Sequence, residues 1–149
     1  MLGQPRFPIA YLLLCAGTLA ARPAEEELRP HGLSVRQFGL LAQLRLEPEL
    51  SMSDLARQLG VTRQSLHELV GALEQAGHVR RLPGSTGRTR RVEMSAGTEY
   101  LLSRLEAPLE RTERALLSGF TPDERETLRT LLQRLLAQVT DDEAWLPED

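Results

Sequence analysis

Thr62, Arg63, Gln64, Ser65 and His67 fall within one short run, and each carries a cationic or hydrogen-bonding group. Between and beyond them, Leu66, Leu69, Val70 and Leu73 recur at helical spacing and form an inward face. Thr62 is a good N-cap, and Gly77 closes the segment as a left-handed C′ residue. The polar groups therefore gather at the N-terminal end of a helix, where free N–H groups and the positive end of the dipole favour phosphate. A helix presented this way also fits the major groove of duplex DNA. The chemistry on offer is recognition rather than bond making. The plainer reading, a solvated polar helix face, is weighed against it, and Glu68 is read either as a cytosine acceptor or as half of an intrahelical pair.

A second helix has to position the first. Ser51 and Asp54 have capping-box spacing and open a short helix that ends near Leu59, with Gly60 as the turn residue. Ala56 supplies the small contact that two steeply crossing helices need, while Leu55, Leu59 and Val61 fill the wedge. Packing residues, turn glycine and polar outer face coincide, which is a helix-turn-helix pattern. The texture changes after Gly77. His78 to Leu82 and Arg90 to Met94 are strand-like and flank the turn-forming run Pro83 to Gly87, a hairpin that makes the pattern the winged variant. Arg88 near its tip is suited to a minor groove or a phosphate. Of Arg80, Arg81, Arg90 and Arg91, strand alternation lets only a subset face DNA, the rest keeping an exposed edge solvated. Ser51, Arg57, Arg80 and Arg90 complete the candidate DNA contacts with Thr62, Arg63, Gln64, Ser65, His67 and Arg88.

The charge distribution supports this placement. The chain has 149 residues and a formal net charge of −3, which averages over two unlike parts. From Arg57 to Arg91 seven arginines face only Glu68 and Glu74, a net charge of +5 that leaves −8 elsewhere. All 18 basic residues are arginine, a uniformity ascribed to codon bias in a GC-rich genome. With 41% hydrophobic and 26% charged residues, the composition is that of a folded globular domain, not of a disordered chain.

Around this centre the pattern is helical. A first helix is expected from about Pro8 to Ala21, broken at Pro23, followed by an acidic helical piece from Glu25 to Arg29 that stops at Pro30. Ser34 and Gln37 have capping-box spacing ahead of Val35, Phe38, Leu41 and Leu44. Ser95 opens a long helix to Leu117 with a kink expected at Pro108, and Thr121, Pro122 and Glu124 open a last one. Its apolar positions are Leu128, Leu131, Leu132, Leu135, Leu136 and Val139. A small winged domain cannot cover both that helix and the first, so burial in a dimer is expected. The tail from Asp141 reads as acidic and frayed, apart from Trp145 and Leu146. The expected fold is mostly α with a small β-hairpin wing, divided into an N-terminal dimerisation region (1–33), the winged helix-turn-helix (34–95) and C-terminal dimerisation helices with the tail (96–149), together one structural domain.

Other function classes find little footing. There is no nucleophile–base grouping and no phosphate-cradling glycine loop after a strand, so an enzyme is not expected. Cys15 is the single cysteine and His31, His67 and His78 lack paired metal-ligand spacing, so neither a metal nor a cofactor is expected. The apolar run Ile9 to Ala21 behind Arg6 superficially resembles a secretory signal, but it is short for a bilayer span and Pro8 suits a helix first turn. A cytoplasmic protein with no membrane partner is expected. The rival class is a winged helix that docks protein, which would show an aromatic or aliphatic patch where Arg63, Gln64 and His67 stand.

Leu33-Ser34-Val35-Arg36-Gln37-Phe38, the run Asp54 to Val61, the run Leu69 to Val79, Val92-Glu93-Met94-Ser95 and Thr121-Pro122-Asp123-Glu124-Arg125 together resemble the multiple-antibiotic-resistance regulator (MarR) family of bacterial transcription factors. The resemblance covers roughly residues 8 to 140 and is closest from Leu33 to Ser95. It implies an obligate homodimer, joined through the N- and C-terminal helices, that binds a palindromic double-stranded operator as a repressor. It also implies a small-molecule or oxidant signal near the junction that weakens operator binding. Tyr11, Cys15, His31 and Arg36 are the ligand-pocket candidates by their place in the element order. Thr86-Gly87-Arg88 departs from the family's Asp-x-Arg, leaving Arg88 without its orienting carboxylate. Some relatives sense peroxide through a first-helix cysteine. Cys15 lies about a turn closer to the second helix than theirs, and no cation adjoins it in sequence. There, a small buried hydrophobe is the favoured reading and an oxidant sensor the alternative.

Overall fold

A computed structural model describes residues 6–83, 91–140 and 145–146. Helix α1 spans Ile9–Leu28 and runs straight through Pro23, where the sequence suggested a break. Proline removes one N–H, and the carbonyl it would have served belongs to Leu19, on an exposed stretch of the helix where water can replace it. The acidic piece expected from Glu25 is thus the last turn of α1, and it is the 3-10 turn Arg29–His31, holding Pro30, that ends it.

Local capping signals decide the next three helices. In α2 (Val35–Leu46) the Ser34 Oγ accepts from Gln37 N at 3.1 Å while Ser34 N donates to Gln37 Oε1 at 2.9 Å. Helix α3 (Met52–Leu59) is opened by Ser51 and closed by Gly60 at φ +64°, a conformation that costs side-chain-bearing residues energy. Helix α4 (Arg63–Gln75) starts at Thr62 and ends before Gly77, φ +79°. Strands β1 (Val79–Leu82) and β2 (Arg91–Met94) pair antiparallel, with Val79 opposite Met94 and Leu82 opposite Arg91.

Helix α5 (Ala96–Leu116) continues past Pro108. Helix α6 (Pro122–Thr140) begins with a reciprocal pair, Thr121 N donating to Glu124 Oε1 at 2.9 Å and Glu124 N to Thr121 Oγ1 at 3.2 Å. These bonds to the ionised form hold the Glu124 carboxyl below its ordinary value of about 4.5, the Thr121 backbone N–H being the larger cause.

One buried cluster joins these elements. Leu28 of α1, Leu40 and Leu41 of α2, Leu55 of α3, Leu66, Val70 and Leu73 of α4 and Leu102 of α5 are all fully buried in it. Each such side chain contributes about 2 kcal/mol of transfer free energy. The ends of the molecule are different. No residue of α6 is buried, and Phe7, Ile9, Leu12, Leu14 and Leu19 on and beside α1 are exposed.

Candidate nucleic-acid interface

The interface is built on the α3-turn-α4 unit. Ser51 Oγ accepts from Asp54 N at 3.1 Å and donates to Asp54 Oδ2 at 2.8 Å, which fixes the start of α3. Arg57, one turn on, reaches the same carboxylate through Nη2 at 3.3 Å. Ala56 is buried against α4, as the steep crossing requires, and Leu55 and Leu66 lock the two helices from within. Thr62 Oγ1 accepts from Ser65 N at 3.0 Å and donates to Ser65 Oγ at 3.0 Å. Cap and first turn are thereby tied together, and the other first-turn N–H groups have no partner within the helix.

On this capped start Arg63, Gln64, His67 and Glu68 are all exposed, and the inward face is wholly aliphatic. The structure brings Thr62, Arg63, Gln64, Ser65 and His67 together at one end of α4. A shallow cleft beside them, between α3 and α4, is lined by Met52, Ser53, Arg63, Leu66 and His67. Gln64 Nε2 donates to Glu68 Oε1 at 3.2 Å, so Glu68 adopts the intrahelical pairing that was one of its two readings.

At the wing root, Arg80 pairs across the strands with Glu93 at 2.9 Å. Arg91 forms an ion pair with Glu49 and bridges to Ser51, tying β2 to the cap of α3. Arg88 and Arg90, with the Thr86-Gly87-Arg88 segment, lie outside the described residues. Sequence reasoning gave Arg81 no role beyond its shared strand, yet its position is distinctive. Its Nη2 donates to the carbonyl of His67 at 3.2 Å, and its own N–H donates to Glu74 Oε2 at 3.3 Å. A Cβ at Gly71 would stand 3.8 Å from that guanidinium, so Arg81 lies across α4 where α4 carries no side chain. The signal available in the sequence was a glycine one turn after His67 opposite a run of paired arginines.

The ligand-pocket candidates are not gathered within one chain. Exposed Tyr11 stacks at 5.9 Å on Phe7 and half-buried Cys15 follows one turn later on α1. Exposed His31 and Arg36 lie beyond the other end of α1, about 20 Å further along the helix. A separate open cavity between α1 and α5 is lined by Pro23, Glu26, Glu27, Thr112, Ala115 and Leu116. Among the described residues no three metal-ligating side chains cluster, and no helix is long and apolar enough to cross a membrane.

A sequence model of the MarR family matches residues 31–90, the stretch from the end of the 3-10 turn to just before β2. An HTH-type transcriptional repressor of Mycobacterium tuberculosis is 30% identical over 129 residues, covering 86% of this chain and 93% of the relative. The fold is similar to that of a mutant MarR from E. coli complexed with operator DNA, with a TM-score of 0.77 at 24% identity over 87% of this chain and 94% of that one. It is equally similar, TM-score 0.77 at 22% identity over 87% and 91% of the two chains, to CouR from Rhodococcus jostii bound to p-coumaroyl-CoA. The capped α3-turn-α4 unit, its hairpin wing and a repressor relative matched along nearly its whole length agree: the chain belongs to the MarR family of winged helix-turn-helix, DNA-binding transcription regulators.

Proposed function

We propose that the chain is a cytoplasmic homodimeric repressor that binds a palindromic operator through two copies of α4 and is released by a small-molecule ligand. The observation that carries the DNA contact is the capped start of α4, where Arg63, Gln64 and His67 are exposed together. That face offers no apolar anchor of the kind a protein-docking helix needs, which argues against the interaction-module reading. Homodimerisation is supported by the uncovered leucines of α1 and α6. Release by a ligand follows the analogy to CouR with its bound thioester, and an acyl or aromatic acid is the class first to be tried.

Ser51, Arg57, Thr62, Ser65 and Arg80 take backbone-positioning roles and Arg63, Gln64 and His67 base-edge roles, with Arg88 and Arg90 of the wing on phosphate or minor groove. The test is in vitro selection of bound DNA followed by footprinting. Two protected half-sites about 10 base pairs apart, centre to centre, are expected. Protection of a single half-site at saturating protein, or enrichment of no sequence at all, defeats the reading.

A further inference from the structure

The C-terminal tail looks dispensable in sequence, yet it supplies a hydrogen bond that α3 cannot make for itself. At the end of α3 the carbonyls of Ala56 and Arg57 accept from the N–H groups of Gly60 and Val61 in the turn. The carbonyl of Gln58 is one of the orphan acceptors every helix end leaves. It accepts instead from the indole Nε1 of Trp145, at 2.7 Å and across 87 positions of sequence. Gln58 is 3% exposed with the indole in place, so the residue is screened from water and the Trp145 N–H serves as donor to its carbonyl. Its side chain is held as well, Oε1 accepting from Gln43 Nε2 of α2 at 2.9 Å. A second contact lies beside the first, because a Cβ on Gly60 would stand 3.4 Å from Thr140 Cγ2 at the end of α6.

We propose that Trp145 is a positioning residue that clasps the helix-turn-helix to the end of α6 and thereby sets the half-site spacing the protein accepts. If α6 belongs to the dimer body and α4 to the operator, any freedom between them becomes freedom in the distance between the two copies of α4. The clasp bonds the turn side of α3 and so restricts that distance without touching DNA. This inference rests on the dimeric operator reading above.

The 149-residue chain carries one tryptophan, so its indole N–H gives a single resonance whose exchange with solvent can be followed directly. Slow exchange is expected, and exchange at the rate of a free peptide overturns the clasp. Operators selected by wild-type protein are then rebuilt with spacers one and two base pairs longer and shorter. Trp145→Phe keeps an aromatic ring but loses the donor and part of the indole's bulk, and Trp145→Ala removes ring and donor alike. Each is expected to raise Kd for the original spacing about 3- to 10-fold, the worth of one such bond, and to flatten the preference among spacings. Dimer mass and the slope of binding against salt should not move. A changed slope would mean that Trp145 acts through phosphate, and unchanged spacing preference in both variants would mean that it positions nothing; either overturns the proposal. Wild-type protein that enriches no two-half-site DNA instead removes the operator reading and the spacing role with it, a result distinguishable from variants that behave as a spacing-selective wild type.

Discussion

Helices α3 and α6 treat their leucines in opposite ways. In α3 Met52, Leu55 and Ala56 are buried in the chain's own core, Leu55 to 0% exposure, and Leu59 packs half-buried against it. In α6 no side chain is buried, and Leu131 and Val139 keep 51% and 69% of their surface. The capped α3-turn-α4 unit is complete within one chain. The terminal helices carry apolar area that one chain leaves open, and monomeric soluble proteins rarely expose such a surface without a partner for it. On the reading proposed above, the contrast gives shape recognition to one half and association to the other.

The strongest way to break that division is to charge the open face. Leu132→Glu with Leu136→Glu should convert dimer to monomer in analytical ultracentrifugation and weaken operator binding by about 100-fold or more, because the two half-sites are no longer linked. A charged variant that stays dimeric would return α6 to the role of a solvated helix. The complementary change is Leu55→Ala in the closed half. It should cost about 2–5 kcal/mol in thermal or urea unfolding through the cavity it leaves, whether or not the dimer persists.

Two arginines sharpen the picture inside the recognition half. Arg63→Ala should redistribute preference among operator variants, by about 1–3 kcal/mol at the base it reads. Arg81→Ala should cost about 1 kcal/mol of affinity for every operator with an unchanged salt slope, since its guanidinium serves the His67 carbonyl. Arg88→Ala, by contrast, should lower the slope by about one unit per subunit. An Arg81→Ala slope that falls in the same way would make Arg81 a phosphate contact.

Smaller effects belong to the association half. The folded-state carboxyl of Glu124 titrates below 4.5 while the unfolded one titrates there, so the stability it adds is present above about pH 4.5 and is lost as the pH falls through the lowered value. Glu124→Gln should therefore melt slightly below wild type at neutral pH, with the difference closing in acid. Cys15→Ala should leave affinity and ligand response unchanged, and mild peroxide should not release wild-type protein from DNA. Peroxide release abolished by Cys15→Ala would make the protein an oxidant sensor.

What the sequence revealed follows from range. The capping pairs Ser34–Gln37, Ser51–Asp54 and Thr121–Glu124 span three residues each, and all three form as their spacing predicted. Gly60 and Gly77 carry their own conformational requirement, and both adopt positive φ. Pro23 was misread because a proline's local cost says nothing of whether the helix on either side is held, and Leu28, five residues later, is held completely. Arg81 was hidden among like neighbours, since strand alternation cannot tell which cation finds a carbonyl on another element. Trp145 stood apart from its acidic tail in sequence, but its partner was beyond any local rule, because the acceptor is a backbone oxygen 87 positions away.

The open faces of α1 and α6 also determine the order in which a working molecule can be made. The core around Leu55, Leu66 and Leu102 is drawn from one chain alone. On the dimer reading proposed above, covering the terminal leucines is bimolecular, so its rate and the apparent stability of the product would rise with protein concentration. On that reading, a newly made chain in a cell holding few copies would pass through an interval in which its leucine faces are bare. During that interval it would be open to proteases and chaperones, and the abundance of the regulator would be tied to how fast it finds its own kind.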